Sequence, residues 1–332
     1  MNPYLAFVIA VILAGWLLDC IVGLLNMRSL APRLPEEFEG VFDEKTYERS
    51  QRYARTRTRF GLIRKTVITP LTLLFILAGG FNRVDLLARG LGLGVIPTGL
   101  VFTTMVLLIS GLAELPFSLY ATFVIENRFG FNKTTVHTYI LDTAKGILLG
   151  ALIGLPVLAF IFWLFEKGGP SAWLFCWIGL LGAALFIQWL APVVILPWFN
   201  RFTPIPEGEL KRAVLDYAAK EGFKIKGIYT MDGSRRSTKP NAFLTGFGRF
   251  KRIVFFDTIL NELDTEEIVA VLAHEMGHYK KRHILKMLAA SFFQMGILFF
   301  TLSFFIDNPG LSAAFKMDRV SVYASLIFFA FL

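Results

Sequence analysis

At residues 269–279 the chain reads VAVLAHEMGHY, in which His274, Glu275 and His278 form the pattern H-E-x-x-H. In a helix, histidines four residues apart lie on one face, about 40° apart around the axis. Both imidazoles are then able to bind one Zn²⁺, and the carboxylate of Glu275 is placed to act on a catalytic water. The pattern predicts a catalytic metal site with one zinc per chain. The alternative is that two surface histidines stand beside an unrelated glutamate.

The residues around this pattern predict a long helix. Asp264 is a typical N-cap, and Glu267, three residues later, completes a capping box. We expect one helix to run from Asp264 through the pattern into the apolar run that ends near Phe305, a length of about 60 Å. On such a helix, His283 lies about 140° around the axis from His278. We therefore predict that His283 points away from the metal.

The third protein ligand that catalytic zinc normally takes is not apparent in the chain. No glutamate follows His278, and the only later acids are Asp307 and Asp318, in a loop expected on the opposite side of the membrane. The chain also ends at Leu332 inside an apolar run. These features predict a truncated chain whose third ligand, a glutamate, lies beyond Leu332.

Apolar runs dominate the rest of the chain, which has 332 residues, 55% of them hydrophobic. A membrane-spanning helix needs about 20 apolar residues. Seven candidate runs stand out, at residues 4–25, 66–82, 97–124, 146–165, 171–199, 287–306 and 320–332. The sequence therefore predicts an all-α polytopic membrane protein with about seven transmembrane helices, and it excludes a soluble globular protein.

The positions of the cations predict the orientation in the membrane. Twenty-nine of the 34 Lys and Arg residues fall in segments 26–65, 125–145 and 200–286, and five fall in the alternate loops. Because cytoplasmic loops carry the excess of cations, the N-terminus is expected outside or in a lumen and the H-E-x-x-H pattern in the cytoplasm. Topology accounts for the net charge of +9. Membrane lipid is an expected partner, and nucleic acid is not.

The polar segment 200–286 is predicted to form a small cytosolic α+β subdomain that is zincin-like. Its pattern favours a helix and three strands, at residues 209–221, 226–231, 242–247 and 252–256. We predict three regions: a membrane domain with five spans, this peptidase subdomain and the last spans, at 1–199, 200–286 and 287–332.

Further motifs lie on both sides of the H-E-x-x-H pattern. They are LPFSLY from Leu115, FVIE from Phe123, GFNK from Gly130, PWFNRFTPIPEGEL from Pro197, RSTKPNAF from Arg236 and KRIVFFDT from Lys251. With these motifs the chain resembles, over nearly its whole length, the CAAX prenyl protease 1 family of integral-membrane zinc metalloproteases. The resemblance implies seven helices around a large chamber and a zinc site open to the cytosol. It also implies, from eukaryotic members, removal of the last three residues of a C-a-a-X tail after a lipidated cysteine.

The resemblance implies a substrate-binding strand and also has two departures. Asn241, Ala242 and Phe243 are implied to form an edge strand that pairs with the substrate backbone; the alternative is a purely structural strand. Lys239 and Pro240 stand where eukaryotic members carry a histidine and a small polar residue. In this respect the chain resembles bacterial relatives. The glutamate of the family's E-x-x-x-D motif, its third zinc ligand, has no counterpart in the chain.

The sequence as a whole favours a membrane-embedded zinc endopeptidase. Its expected partners are peptides or lipidated protein C-termini, cleaved near the C-terminus with Glu275 as the general base. One alternative is a membrane quality-control metalloprotease, although those enzymes carry the zinc pattern after two spans and not five. Another is a non-catalytic scaffold that keeps the protease fold. The presence of Glu275 argues against this alternative, because a scaffold has no need of a general base. The expected location is a bacterial inner membrane, with the endoplasmic reticulum as the alternative.

Overall fold

The computed structural model describes residues 2–31, 33–246 and 251–332, and most of them are helical. The helices, in chain order, are α1 (Pro3–Ser29), α2 (Glu44–Leu77), α3 (Gly80–Arg89), α4 (Val95–Tyr120), α5 (Val136–Lys167), α6 (Ala172–Leu190), α7 (Leu196–Phe199), α8 (Glu209–Lys220), α9 (Asp257–Glu262), α10 (Thr265–Lys280), α11 (His283–Ser303), α12 (Pro309–Ala314) and α13 (Val322–Phe329). The strands are β1 (Phe202–Pro204), β2 (Gly227–Met231), β3 (Ala242–Thr245) and β4 (Arg252–Phe256). Two π-helical segments, Ala121–Glu126 and Ala191–Ile195, continue α4 and α6.

Six helical stretches in the described part of the chain are long and apolar enough to cross a membrane. They are Pro3–Ser29, Glu44–Leu77, Val95–Glu126, Val136–Lys167, Gly169–Phe199 and His283–Ser303. Many of their large apolar side chains are exposed, which is favourable where lipid surrounds them. The last predicted run, 320–332, contains only the eight-residue α13. The prediction of a polytopic membrane protein with a small α+β part is confirmed.

The first of two compact units comprises Met1–Phe129, Leu158–Trp173 and Phe299–Leu332. In this unit α13 packs against α4, where a Cβ on Gly99 would lie 2.8 Å from Cδ1 of Tyr323. The Tyr323 hydroxyl donates a hydrogen bond to the buried Asp85 of α3, which also accepts one from Nε of Arg89 at 2.7 Å. The buried carboxylate therefore ties α13 to α3.

The second unit comprises Gly130–Val157 and Leu174–Leu298 and contains a mixed four-stranded sheet. The strand order is β1-β2-β4-β3, with β2 and β4 parallel and both outer strands antiparallel to their neighbours. The predicted strands at 226–231, 242–247 and 252–256 are confirmed as β2, β3 and β4, although Phe247 lies outside the described residues. The helix predicted at 209–221 is confirmed as α8.

A hydrophobic core joins this sheet to α8 and α10. Its buried side chains come from every one of these elements and include Val214, Ala218, Ile253, Phe255, Ile268, Leu272 and Met276. The three from α10 are four residues apart and form one stripe along that helix. Burying each of them contributes about 1.5–3 kcal/mol relative to exposure. The stripe fixes which face of α10 turns outward.

Candidate metal and peptide site

The start of α10 is set by a capping box, as the sequence predicts. Asp264 Oδ1 accepts a hydrogen bond from the Glu267 amide at 2.9 Å, and the Asp264 amide donates to Glu267 Oε2 at 3.0 Å. Two amide donors at the helix start are satisfied in this way. The capping box therefore fixes the register of the helix that carries the H-E-x-x-H pattern.

The two histidines of the pattern lie on the outward face of α10. His274 and His278 each follow a buried residue of the stripe, Leu272 and Met276, by two positions, which is about 200° around the helix. Both imidazoles are exposed, and their Nε2 atoms are 3.1 Å apart. Two nitrogens bound at 2.0–2.1 Å to a tetrahedral zinc are separated by about 3.3 Å. The pair therefore fits two ligands of one metal ion.

Glu275 lies between the two histidines in sequence and is half-buried. Among the described residues, no three His, Cys, Asp or Glu side chains are grouped closely enough to hold a metal ion together. The expected third ligand beyond Leu332 stays a prediction. His274 and His278 thus supply a pair of nitrogen donors, and Glu275 is next to the first of them in sequence.

The predicted continuous helix from Asp264 to near Phe305 is wrong, because α10 ends at Lys280 and α11 begins at His283. Arg282 between them adopts the left-handed conformation, with φ of 54°. Its amide donates to the carbonyl of Tyr279 at 2.9 Å, which closes the last turn of α10. The regular α-helix is therefore interrupted at this residue.

The break brings His283 back to the metal face. Its Nδ1 atom is 2.9 Å from Nδ1 of His278, so the expectation that His283 points away from the site is wrong. The angle predicted for a straight helix does not apply, because Arg282 interrupts the helix. Three of the four histidines in the chain are therefore neighbours.

The C-terminal end of α10 is held by two sets of contacts. Lys251 Nζ lies 3.9 Å from the ring centroid of Tyr279 and 4.2 Å from that of Phe223, as a cation between two aromatic rings. Lys280 forms an ion pair with Glu221, just after α8, and its hydrogen bond holds the pKa of that carboxyl below its usual value. These contacts fix the helix end next to the histidines.

The strand β3 lies beside α10 and forms one edge of the sheet. Asn241, just before it, accepts a hydrogen bond from the Phe256 amide of β4 at 3.0 Å. Since backbone groups alternate along an antiparallel strand, those of Ala242 and Leu244 point to the open edge. Ala242 already shows this direction, because its amide donates to the Asn241 side chain at 2.9 Å. Asn241, Ala242 and Phe243 therefore belong to an edge strand and the residue that precedes it.

The segment before β3 is fixed by Arg236. Its guanidinium donates two hydrogen bonds to Asp142 of α5, at 2.7 and 3.0 Å, one to Asn200 at 2.7 Å and one to the Phe199 carbonyl at 2.7 Å. The hydrogen bonds with Asp142 raise the pKa of Arg236. We call these residues the Arg236 cluster. The cluster holds the chain from which the edge strand emerges.

The sequence reasoning missed His283 and the pairing of Arg236 with Asp142. On a helix that continues past His278, His283 points away, and no glycine, asparagine or proline near Arg282 signals that the helix is broken there. Arg236 lies within one of the motifs that carry the family resemblance. Nothing in the sequence connects it with Asp142, which lies 94 residues earlier.

The fold and the site together define an endopeptidase of the metal-dependent type that is embedded in a membrane. Two family models match the chain: CAAX prenyl protease N-terminal, five membrane helices, at residues 24–201, and Peptidase family M48, at residues 204–332. The chain belongs to the CAAX prenyl protease 1 family of M48 metallopeptidases.

Individual relatives agree with this assignment. The chain is 34% identical to a CAAX prenyl protease 1 homolog of Oryza sativa, an alignment that covers 98% of this chain and 79% of the relative. It is 36% identical to CAAX prenyl protease 1 of Saccharomyces cerevisiae, over 78% of this chain and 60% of that protein. The crystal structure of S. mikatae Ste24p superposes with a TM-score of 0.94 at 29% identity, covering 100% of this chain and 82% of that one.

Proposed function

We propose that the protein is a zinc endopeptidase in which His274 and His278 hold one zinc ion per chain. The observation that carries the proposal is the pair of Nε2 atoms, 3.1 Å apart on the exposed face of α10. Zinc, when bound, supplies a Lewis acid that polarises a carbonyl and makes water a nucleophile near neutral pH. Imidazole nitrogens are among the donors that bind this ion, at about 2.0–2.1 Å.

We assign Glu275 as the general base. It is adjacent in sequence to His274 and is half-buried, so its side chain is neither fully exposed nor enclosed in the core. The carboxylate takes a proton from the attacking water and passes it to the amine that leaves when the peptide bond breaks. General acid–base catalysis of this kind contributes about 10²–10⁴-fold to a rate.

The open edge of β3 is the proposed binding place for the substrate backbone. The outward backbone amide and carbonyl groups of Ala242 and Leu244 have the spacing found along the edge of an antiparallel sheet. An extended peptide is therefore able to add as a further strand. In this proposal a substrate carbonyl replaces the Asn241 side chain as the acceptor for the Ala242 amide. Phe243, on the opposite face from Ala242, is left to contact a substrate side chain.

We propose that the substrates are protein C-termini at the membrane, either prenylated C-a-a-X tails or other membrane-associated peptides. The names of the plant and yeast relatives support the first kind. The helices long enough to cross a membrane support substrates that are held there. The Lys239 and Pro240 departure supports the second kind, together with a bacterial inner membrane as the location and the endoplasmic reticulum as the alternative.

The substrate proposal is tested with two peptides of the same sequence, one farnesylated on its cysteine and one not, and with Glu275→Gln. We expect the Gln variant to lose about 10²–10⁴-fold in cleavage rate, because the amide accepts no proton. Glu266→Gln, an exposed carboxylate in the first turn of the same helix, is the matched control and should cleave as the wild type does. Cleavage of neither peptide by the wild type would favour the scaffold alternative.

The orientation is a separate proposal, in which the metal site faces the cytoplasm and the N-terminus lies on the other side. It is tested in cells by labelling single cysteines, placed in a background without Cys20 and Cys176, with a membrane-impermeant maleimide. The exposed positions are Ser171→Cys, expected outside, and Glu262→Cys, expected in the cytoplasm. Only the Ser171 variant should label in intact cells, and both should label after lysis. Labelling of Glu262→Cys in intact cells would reverse the orientation.

A further inference from the structure

The imidazole of His278 is contacted at both of its nitrogens. Its Nε2 atom lies 3.1 Å from Nε2 of His274, and its Nδ1 atom lies 2.9 Å from Nδ1 of His283. The rings of His278 and His283 meet edge to face, with their centroids 5.0 Å apart and their planes at 73°. One nitrogen thus faces the proposed metal position, and the other faces a third histidine.

The chemistry of the ring decides the direction of the second contact. A histidine that offers Nε2 to a metal carries its proton on Nδ1, and this N–H needs an acceptor. Nδ1 of His283 is at hydrogen-bonding distance and becomes the acceptor when His283 carries its own proton on Nε2. Both rings are then neutral, and each uses the tautomer that the contact requires.

We propose that His283 is a positioning residue of the metal site, which fixes the tautomer and the orientation of His278 by accepting its Nδ1–H. The inference rests on the proposed function, since it needs His278 to be a metal ligand. Partners of this kind usually change metal affinity by about 10–100-fold when they are removed. His283 acts through His278 and is not itself a ligand. Its Nδ1 atom lies next to Nδ1 of His278 and not next to the two Nε2 atoms that face the metal position.

The backbone holds His283 in this place. The left-handed Arg282 starts α11, whose first turn is closed by the Lys286 amide donating to the Arg282 carbonyl at 3.0 Å. Further along α11, the Trp177 indole of α6 donates to the Phe292 carbonyl at 2.8 Å and stacks on the Phe292 ring at 4.4 Å. The position of His283 is therefore fixed from both directions along the chain.

The test compares two substitutions at this position in the detergent-purified protein. The Oδ1 atom of asparagine stands two bonds from Cβ, as the histidine Nδ1 does, so His283→Asn keeps an acceptor. His283→Phe keeps a ring and has carbon at that place. His137→Phe, at an exposed histidine that is not one of these three neighbouring histidines, is the matched control. Zinc affinity is measured by competition with a chromophoric chelator, and the Co²⁺-substituted protein gives an absorption spectrum of the ligand field.

We expect His283→Phe to weaken zinc binding by about 10–100-fold and to alter the Co²⁺ spectrum, and His283→Asn to stay within a few-fold of the wild type. Equal affinity in the wild type and His283→Phe would overturn the inference, and so would equal losses in the Phe and Asn variants. Circular dichroism and thermal unfolding show whether each variant is folded. His278→Ala separates the two proposals: if it abolishes zinc binding while His283→Phe binds zinc as tightly as the wild type does, only this inference fails. Absence of zinc binding in the wild type means that the proposed function fails.

Discussion

Arg282 shows how one backbone conformation decides the composition of a site. A residue other than glycine in the left-handed region costs about 1–2 kcal/mol, and Arg282 bears this cost with φ of 54°. The contacts that hold α10 and α11 on either side maintain the conformation. The result is that His283 reaches His278, which a straight helix does not allow.

Two substitutions at Arg282 are predicted to differ in sign. Glycine adopts the left-handed conformation without a steric cost, so Arg282→Gly should leave the thermal unfolding midpoint in detergent unchanged or raise it. Proline fixes φ near −65° and removes the amide that donates to the Tyr279 carbonyl. Arg282→Pro should therefore lower the free energy of unfolding by more than about 1 kcal/mol and weaken zinc binding.

Lys281→Gly is the control for the Arg282 substitutions, because Lys281 has φ of −76°, which any residue adopts. At this position glycine only increases the conformational freedom of the unfolded chain. Lys281→Gly should therefore lower the free energy of unfolding by about 0.5–1 kcal/mol. Equal destabilisation by glycine at both positions would contradict the role given to the left-handed turn.

At the scale of elements, the Arg236 cluster is predicted to govern how β3 is presented to a substrate. Arg236 makes four hydrogen bonds with a planar, forked group, whereas lysine offers a single charged nitrogen. Arg236→Lys should lower the free energy of unfolding by about 2 kcal/mol, since hydrogen bonds to charged groups contribute about 1.5–3 kcal/mol each and lysine keeps some of them.

The same variant should raise KM for peptide cleavage and leave zinc content unchanged, because the cluster holds the strand and not the metal. Arg235→Lys, at the exposed neighbour, is the matched control and should behave as the wild type. Loss of zinc in Arg236→Lys would contradict this role of the Arg236 cluster. An unchanged KM together with a lower stability would contradict it as well.

The elements that the sequence predicts well are those with a local signal. The start of α10 follows from Asp264 and Glu267, and β2 and β4 follow from short β-branched and aromatic runs between turn residues. The end of α10 is not marked by a glycine, asparagine or proline at Arg282, and Lys280, Lys281 and Arg282 are themselves good helix formers. Contacts from distant residues, such as Lys251 against Tyr279, hold that end of the helix.

Across the full chain, apolar content predicts the membrane class but not the environment of every apolar run. The run at 320–332 has 13 residues, a length more typical of a buried core helix than of a membrane span. Its helix α13 has Val322, Tyr323, Ala324 and Phe328 buried within the first unit, unlike the exposed apolar faces of the six long helices. Hydropathy does not distinguish a helix covered by protein from one covered by lipid.

The zinc content of the purified protein tests whether His274 and His278 hold one metal ion. Metal analysis should find about one zinc per chain in the wild type and in His137→Ala, which removes an exposed histidine away from His274, His278 and His283. His274→Ala and His278→Ala should each contain little or none, because each removes one of the two Nε2 donors that lie 3.1 Å apart. The proposed metal site would be contradicted by a wild-type protein without zinc. It would also be contradicted if His274→Ala and His278→Ala both kept the wild-type zinc content.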